Sequence, residues 1–145
     1  MFVSTKGRYA LRMMQQLAEN TDHPVRIKEV AEEQGISAKY LEQIMIVLKA
    51  AGFVESSRGP RGGYRLSKPP EEYTVGSIIR EMEGDISVPC VKGKGEHCER
   101  YEYCTAIKLW LMVEEAVSGV IDNVTLADMV RWEQESRSQK PIDIQ

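Results

Sequence analysis

Residues 27–52 read IKEVAEEQGISAKYLEQIMIVLKAAG, and this stretch decides the fold. Ile27, Val30 and Ala31 mark one face of a short amphipathic helix of about two turns, which stops at Gly35, a residue suited to the left-handed position after a helix. Ser37 offers a fresh N-cap, and Leu41, Ile44, Met45 and Leu48 recur at three-and-four spacing along a better-marked helix that ends at Gly52. The connection Gln34-Gly35-Ile36-Ser37 is the tight, glycine-bearing turn of a helix-turn-helix, with Ile36 as the apolar peg between the helices. An ordinary helical hairpin is the alternative. At about 100° per residue, Lys39, Gln43, Ile46 and Ala50 fall opposite the core stripe of the second helix, with Tyr40 and Glu42 on the flanks.

Upstream, Ser4 or Thr5 can cap a first helix running to about Asn20, with Leu11, Met14, Leu17 and Ala18 as its buried stripe and a turn at Thr21 to Pro24 after it. Downstream, Phe53 to Ser57 and Tyr64 to Ser67 are two strand-like runs around Arg58-Gly59-Pro60-Arg61-Gly62-Gly63. They form a β-hairpin with a basic, glycine-rich tip. Glycines let backbone approach a polyanion closely, and Arg58 and Arg61 can reach phosphates or a minor groove. In isolation such a tip reads as a solvated turn; behind a helix-turn-helix it reads as the wing of a winged helix. Lys68-Pro69-Pro70 marks a boundary, and Val75, Ile78, Ile79 and Met82 make a short helix that closes at Gly84. Residues 1–84 are therefore expected to form a winged helix-turn-helix DNA-binding domain within a mainly α fold.

Charge divides the same way. Residues 1–68 carry a formal +4 and residues 69–145 a formal −7, within a net −3 over 145 residues. A basic half beside an acidic one fits binding to an anionic polymer. The composition, 42% hydrophobic and 28% charged, is that of one globular domain and excludes a disordered or fibrous chain. No uninterrupted apolar run exceeds five residues, as at Leu109 to Val113, against the roughly 18 a bilayer span needs. The first residues lack the apolar core of a secretory signal, so secretion is not expected and a cytoplasmic location is. His23 and His97 have no nucleophile or acid–base constellation around them, which argues against an enzyme.

Residues 85–104 show no clean period and hold all three cysteines as Cys90-x7-Cys98-x5-Cys104. An odd number of thiols in a chain with no sign of an oxidising compartment argues against a disulfide framework. Three thiolates from one loop suit a soft centre, zinc or an iron–sulfur cluster, and both want a fourth ligand. His97, Glu96, Glu99 and Glu102 are the nearby candidates. Adjacent side chains point apart, so His97 and Cys98 are poorly placed to bind one zinc ion together. Three merely buried cysteines are the bland alternative.

Thr105 begins a long helix to about Val120. Ala106, Leu109, Trp110, Val113, Ala116, Val117 and Val120 form one stripe, which Ile107, Leu111 and Met112 widen beyond what one small domain can cover. A second copy of the chain would cover the rest, and a two-fold homodimer matches a palindromic duplex. Thr125 caps a last helix through Leu126, Met129, Val130 and Trp132, with a polar tail expected to fray from Glu133. Residues 105–136 are assigned to dimerisation helices and 137–145 to the tail.

The chain resembles the IscR and NsrR type of winged-helix regulators, which carry iron–sulfur clusters. The likeness covers nearly the whole length. It rests most on Ser4-Thr5-Lys6-Gly7-Arg8-Tyr9-Ala10-Leu11, on Tyr40-Leu41-Glu42-Gln43, on Arg58-Gly59-Pro60-Arg61-Gly62-Gly63-Tyr64, and on the three-cysteine loop that leads to Leu109-Trp110. The resemblance implies a homodimeric transcription factor, a repressor of iron–sulfur cluster biogenesis genes, with Cys90, Cys98 and Cys104 as ligands of a [2Fe–2S] or [4Fe–4S] cluster. It also implies a recognition helix carrying Tyr40, Glu42 and Gln43, joined at the duplex by Ser37, Lys39, Thr5 and Arg8. Gln43 can pair with adenine and Glu42 can accept from cytosine N4. Where IscR-like members place a ligating histidine three residues after the last cysteine, this chain has Ile107. Where NsrR-like members place an acidic ligand near the N-terminus, it has Lys6-Gly7-Arg8. The first cysteine interval is also two residues longer than in the best-known IscR proteins, an extension a loop absorbs at little entropic cost. A zinc-stabilised module, a nitric-oxide sensor and a cluster-free regulator of cysteine or sulfur metabolism are the competing readings.

Overall fold

The computed structural model describes residues 3–92 and 98–139. The Ser4 hydroxyl accepts from the Gly7 N–H and starts α1 (Thr5–Glu19). After a turn, α2 (Ile27–Gln34) ends where Gly35 turns left-handed at φ 65°, a conformation that costs glycine nothing. That reversal brings Ile36 into the core, 8% exposed, between α2 and α3 (Ala38–Ala50). Leu41, Ile44, Met45 and Leu48, the stripe expected of α3, are all 1% exposed or less.

The wing is an antiparallel pair, β1 (Val54–Ser57) and β2 (Gly63–Leu66), in the register Val54↔Leu66 to Ser57↔Gly63. An isolated antiparallel bridge ties it to the segment before α2: Val25 and Tyr64 exchange two backbone hydrogen bonds of 2.8 Å. Gly63 makes that approach possible, because a Cβ there would lie 2.6 Å from the Val25 carbonyl oxygen.

A 3₁₀ turn at Pro70–Glu72 leads to α4 (Val75–Glu83), capped by Thr74. Between them Tyr73 is 3% exposed, donates through its hydroxyl to the Phe53 carbonyl at 2.7 Å and accepts from the Lys68 N–H at 3.0 Å. Burial pushes its phenol above the usual tyrosine range. A second 3₁₀ turn, Tyr101–Tyr103, precedes α5 (Thr105–Ile121), and α6 (Leu126–Ser138) closes the chain. The described residues thus form a mainly helical winged helix-turn-helix with six α-helices and a two-stranded hairpin.

Three sequence expectations shift. The fully buried face of α1 is Ala10, Met13, Met14, Leu17 and Ala18 rather than a stripe starting at Leu11, because α1 packs against α3 and α6 as well as α4. Leu11 is half-buried and packs against both this core and a second cluster of Val75, Ile79 and Ile121. On α5, the supposed widening residue Ile107 is buried while Ala106, Leu109, Ala116 and Val120 are exposed, so the face turned to its own subunit is Ile107, Trp110, Val113, Val117 and Ile121. The last helix does not fray at Glu133. It continues to Ser138, held by an Arg137–Glu133 pair at 2.8 Å and an Arg137–Glu19 pair at 3.4 Å that pins it to α1. Its start is fixed by a reciprocal Thr125–Asp128 cap, and those hydrogen bonds hold the Asp128 carboxyl below the usual carboxylate range.

Candidate nucleic-acid interface

The core stripe of α3 is buried so completely that its opposite face must point outward. Lys39, Glu42, Gln43, Ile46, Lys49 and Ala50 are exposed along it. Ser37 caps the helix by accepting from the Tyr40 N–H at 3.3 Å, which leaves its own proton free to donate outward. Tyr40 is only half exposed. Its ring packs edge-on against Tyr9 with centroids 5.7 Å apart, so it braces α3 on α1 as well as bordering the outer face. Thr5 and Arg8 are exposed at the N-terminus of α1, where the Arg8 guanidinium donates to the Thr5 hydroxyl at 3.2 Å. Backbone N–H groups at a helix N-terminus and a neighbouring guanidinium both favour an anion.

The wing tip stands beside α3. Gly59 takes φ 99° and its carbonyl accepts from the Gly62 N–H at 2.9 Å, folding the tip so that Arg58 and Arg61 stay exposed. Two residues unremarked in the sequence hold this arrangement. Arg26 donates to the Pro60 carbonyl, and Lys49 at the end of α3 donates to the Ser56 hydroxyl at 2.6 Å. Both contacts join segments with no shared periodicity; only the basic character of the residues is visible beforehand. Arg26, Arg58, Arg61, Lys39 and Lys49 form no ion pair among the described residues. Their charge is therefore available to a polyanion.

A third missed residue is Glu83, at the end of α4. Its Oε1 accepts from the Ser4 N–H at 3.0 Å, the Ser4 hydroxyl at 2.5 Å and the Gly7 N–H at 3.2 Å, and so fixes the N-terminus of α1.

The cysteine segment follows directly. Asp85 accepts from the Ser87 N–H at 2.8 Å and pairs with Lys92 at 3.7 Å; the Ser87 hydrogen bonds hold its carboxyl below the usual range. The Ser87 hydroxyl donates to Glu114 at 2.5 Å, which ties the segment to α5. Cys90 is exposed, Cys98 and Cys104 are half-buried, and all three are free thiols. Cys104 occupies the N-cap position of α5. Glu99 and Glu102 are exposed, whereas Glu96 and His97 lie outside the described residues. Among the described residues no three His, Cys, Asp or Glu side chains stand close enough to hold one metal ion. The donor set therefore suits a soft metal in its chemistry, and its described members are not gathered around one point. Ile107, one turn beyond Cys104, is 7% exposed and offers no donor.

Most of the exposed large apolar side chains among the described residues lie on α5: Leu109 is 52% exposed, Met112 58% and Val120 63%. No helix of the described residues is long and apolar enough to cross a membrane.

Comparison with known proteins agrees with this geometry. A family model described as "Rrf2: Iron-dependent Transcriptional regulator" matches residues 3–132. The chain is 38% identical over 131 residues to the HTH-type transcriptional regulator IscR of Serratia proteamaculans, covering 90% of this chain and 79% of that one. It is similar to the structure of IscR from T. potens (TM-score 0.79, 36% identity, 97% of this chain and 94% of that one). It is equally similar to the structure of CymR, described as the global cysteine regulator of B. subtilis (TM-score 0.77, 38% identity, 91% of this chain and 98% of that one).

Proposed function

The chain belongs to the Rrf2 family of DNA-binding transcriptional regulators, which are not enzymes, and from that membership we propose that it is a homodimeric cytoplasmic repressor of palindromic promoter sites. In this reading α3 enters the major groove, where Gln43 pairs with adenine and Glu42 accepts from cytosine N4. Lys39 and the outward proton of Ser37 contact the flanking backbone, with Tyr40 as brace. Arg58 and Arg61 follow the backbone into the adjacent minor groove, while Thr5 and Arg8 hold phosphates. The observation that carries it is a set of five exposed cations on α3, the wing and Arg26 with no carboxylate partner among the described residues. The exposed face of α5 supplies the two-fold contact, because an apolar surface of that extent on a small domain marks an interface.

Cys90, Cys98 and Cys104 are the residues that would hold an iron–sulfur cluster, [2Fe–2S] or [4Fe–4S], with Glu96, His97, Glu99 or Glu102 as the fourth donor. When bound, such a group supplies sensitivity to oxygen, nitric oxide or cluster supply, and the regulon in this reading is cluster biogenesis. The protein's own part is mechanical: the Ser87–Glu114 bond links the cysteine segment to α5, and Glu83 links its start to the N-terminus of α1, so ordering the segment biases how two winged helices are spaced. A second reading, a cluster-free or zinc-stabilised regulator of cysteine or sulfur metabolism, is favoured by the buried Ile107, the ungathered cysteines and the equal likeness to CymR.

Oxygen-free purification followed by iron, zinc and sulfide analysis and a visible spectrum separates the readings. Iron and sulfide in stoichiometric amount, with operator affinity that changes on Cys98→Ala, support the cluster. Colourless protein whose DNA binding ignores Cys98→Ala leaves the cluster-free reading.

A further inference from the structure

We propose that Ile46 reads thymine, by packing its side chain on the C5 methyl group in the major groove; this rests on the reading of α3 as the recognition helix. Ile46 is 66% exposed on a helix whose core stripe is sealed, so it is not a frayed edge of the core. It lines a groove of about 520 Å³ between α3 and the wing, together with Glu42, Arg26, Ser57 and Tyr64. Lone exposed aliphatics are common on proteins and need no explanation by themselves. This one shares its groove with Arg26 and with Gly59 and Gly62 of the wing tip, whose chain neighbours Arg58 and Arg61 are exposed. An aliphatic side chain in a groove with a cation, beside a basic wing tip, suits a polyanion that itself carries an apolar feature. Duplex DNA is such a polymer, and the apolar group that its major groove displays is the thymine methyl. An apolar protein partner docked on Ile46 would leave Arg26 in the same groove without a counter-charge. The unpartnered surface suited to a second copy of the chain lies elsewhere, on α5.

Glu42 sits one helical turn before Ile46. A turn rises about 5.4 Å, between one and two base steps of about 3.4 Å each. A half-site is therefore expected to hold a thymine within about two base pairs of the cytosine that Glu42 accepts from. The side chain gives discrimination that no hydrogen-bonding residue of α3 supplies, since Gln43 and Glu42 address amino groups.

The test is selection from a random-sequence duplex library with the full chain and with Ile46→Ser, followed by replacement of each selected thymine by deoxyuridine. Ile46 lies outside the core, so the variant folds; circular dichroism confirms it. The proposal expects one thymine per half-site whose replacement weakens the wild type about four-fold, the usual worth of burying one methyl-sized group, and leaves Ile46→Ser unchanged. Ile46→Ser should also lose the preference for thymine there. Two results overturn the assignment while sparing the recognition helix: deoxyuridine at every position binds as well as thymine, or Ile46→Ser weakens all duplexes alike, which places the side chain on a sugar. If no consensus is selected, or Gln43→Ala leaves affinity and consensus intact, α3 reads no bases and the reading beneath the proposal falls with it.

Discussion

The Glu83 carboxylate, at the last turn of α4, accepts from both the backbone N–H and the hydroxyl of Ser4, 79 residues away in the chain. The same oxygen accepts from the Gly7 N–H, so one side chain satisfies three donors at the start of α1, two of them backbone N–H groups. It also stands two residues before Asp85, where the cysteine segment begins. Glu83→Ala is expected to destabilise the fold by about 1–3 kcal/mol, the usual worth of losing hydrogen bonds to a charged acceptor. Gly7→Ala acts in the same direction, because its Cβ would displace that carboxylate. Urea unfolding of both variants is the check, and a loss well below 1 kcal/mol in each would deny Glu83 its capping role.

Arg80 of α4 grips Asp122 at the end of α5 through two guanidinium nitrogens, at 2.5 and 3.0 Å. The hydrogen bond from Arg80 holds the Asp122 carboxyl below the ordinary 3.8. A depressed folded value means that the stabilisation is fully present above about pH 3.8 and is lost as pH falls through the lowered value. Both side chains are about two-fifths exposed, at 39% and 40%, so solvent screening keeps the pair to about 0.5–1 kcal/mol. Asp122→Asn should therefore be less stable than wild type at pH 7 and indistinguishable from it near pH 2. A difference that persists in acid would assign the loss to packing instead.

The wing prediction is electrostatic. Arg58→Ala and Arg61→Ala should each weaken binding to any duplex and lower the slope of log affinity against log salt by about 1, because each removes one phosphate contact. Arg26→Ala is different in kind. It frees the Pro60 carbonyl, so the tip loosens and affinity falls through lost positioning as well as charge. Fluorescence anisotropy over a salt series distinguishes them: unchanged slopes for Arg58 and Arg61 would take the wing off the DNA.

How far the sequence foretold these features depended on range. The α3 stripe was legible because a 3.6-residue period survives any context, and Ser37, Gly35 and Gly52 punctuate it. The wing was legible from its turn residues. The Val25–Tyr64 bridge, the Tyr73 hydroxyl on Phe53, Arg26 on Pro60 and Glu83 on Ser4 were not, since each is a single contact between distant segments and leaves no periodic trace. The α5 helix misled in another way. It is apolar on nearly every side, so the period could not say which face turns inward, and Ile107 and Leu109 exchanged places. The cysteine spacing announced three thiols and could not place them.

That ambiguity on α5 also frames the last prediction. Leu109 and Met112 lie one turn apart, both more than half exposed, on the face that α5 turns away from its own subunit. Substituting Asp at both positions removes nothing from the core, yet places two carboxylates in the proposed two-fold contact, where each would meet its counterpart across the axis. The variant should sediment as a monomer with an unchanged helical spectrum. Each monomer would then hold only one half-site, and the effective concentration that a second tethered head provides is lost, so affinity for a palindrome should fall by at least about 10²-fold while affinity for an isolated half-site stays the same. A variant that remains dimeric would move the interface off this face of α5 and require another cover for Leu109 and Met112.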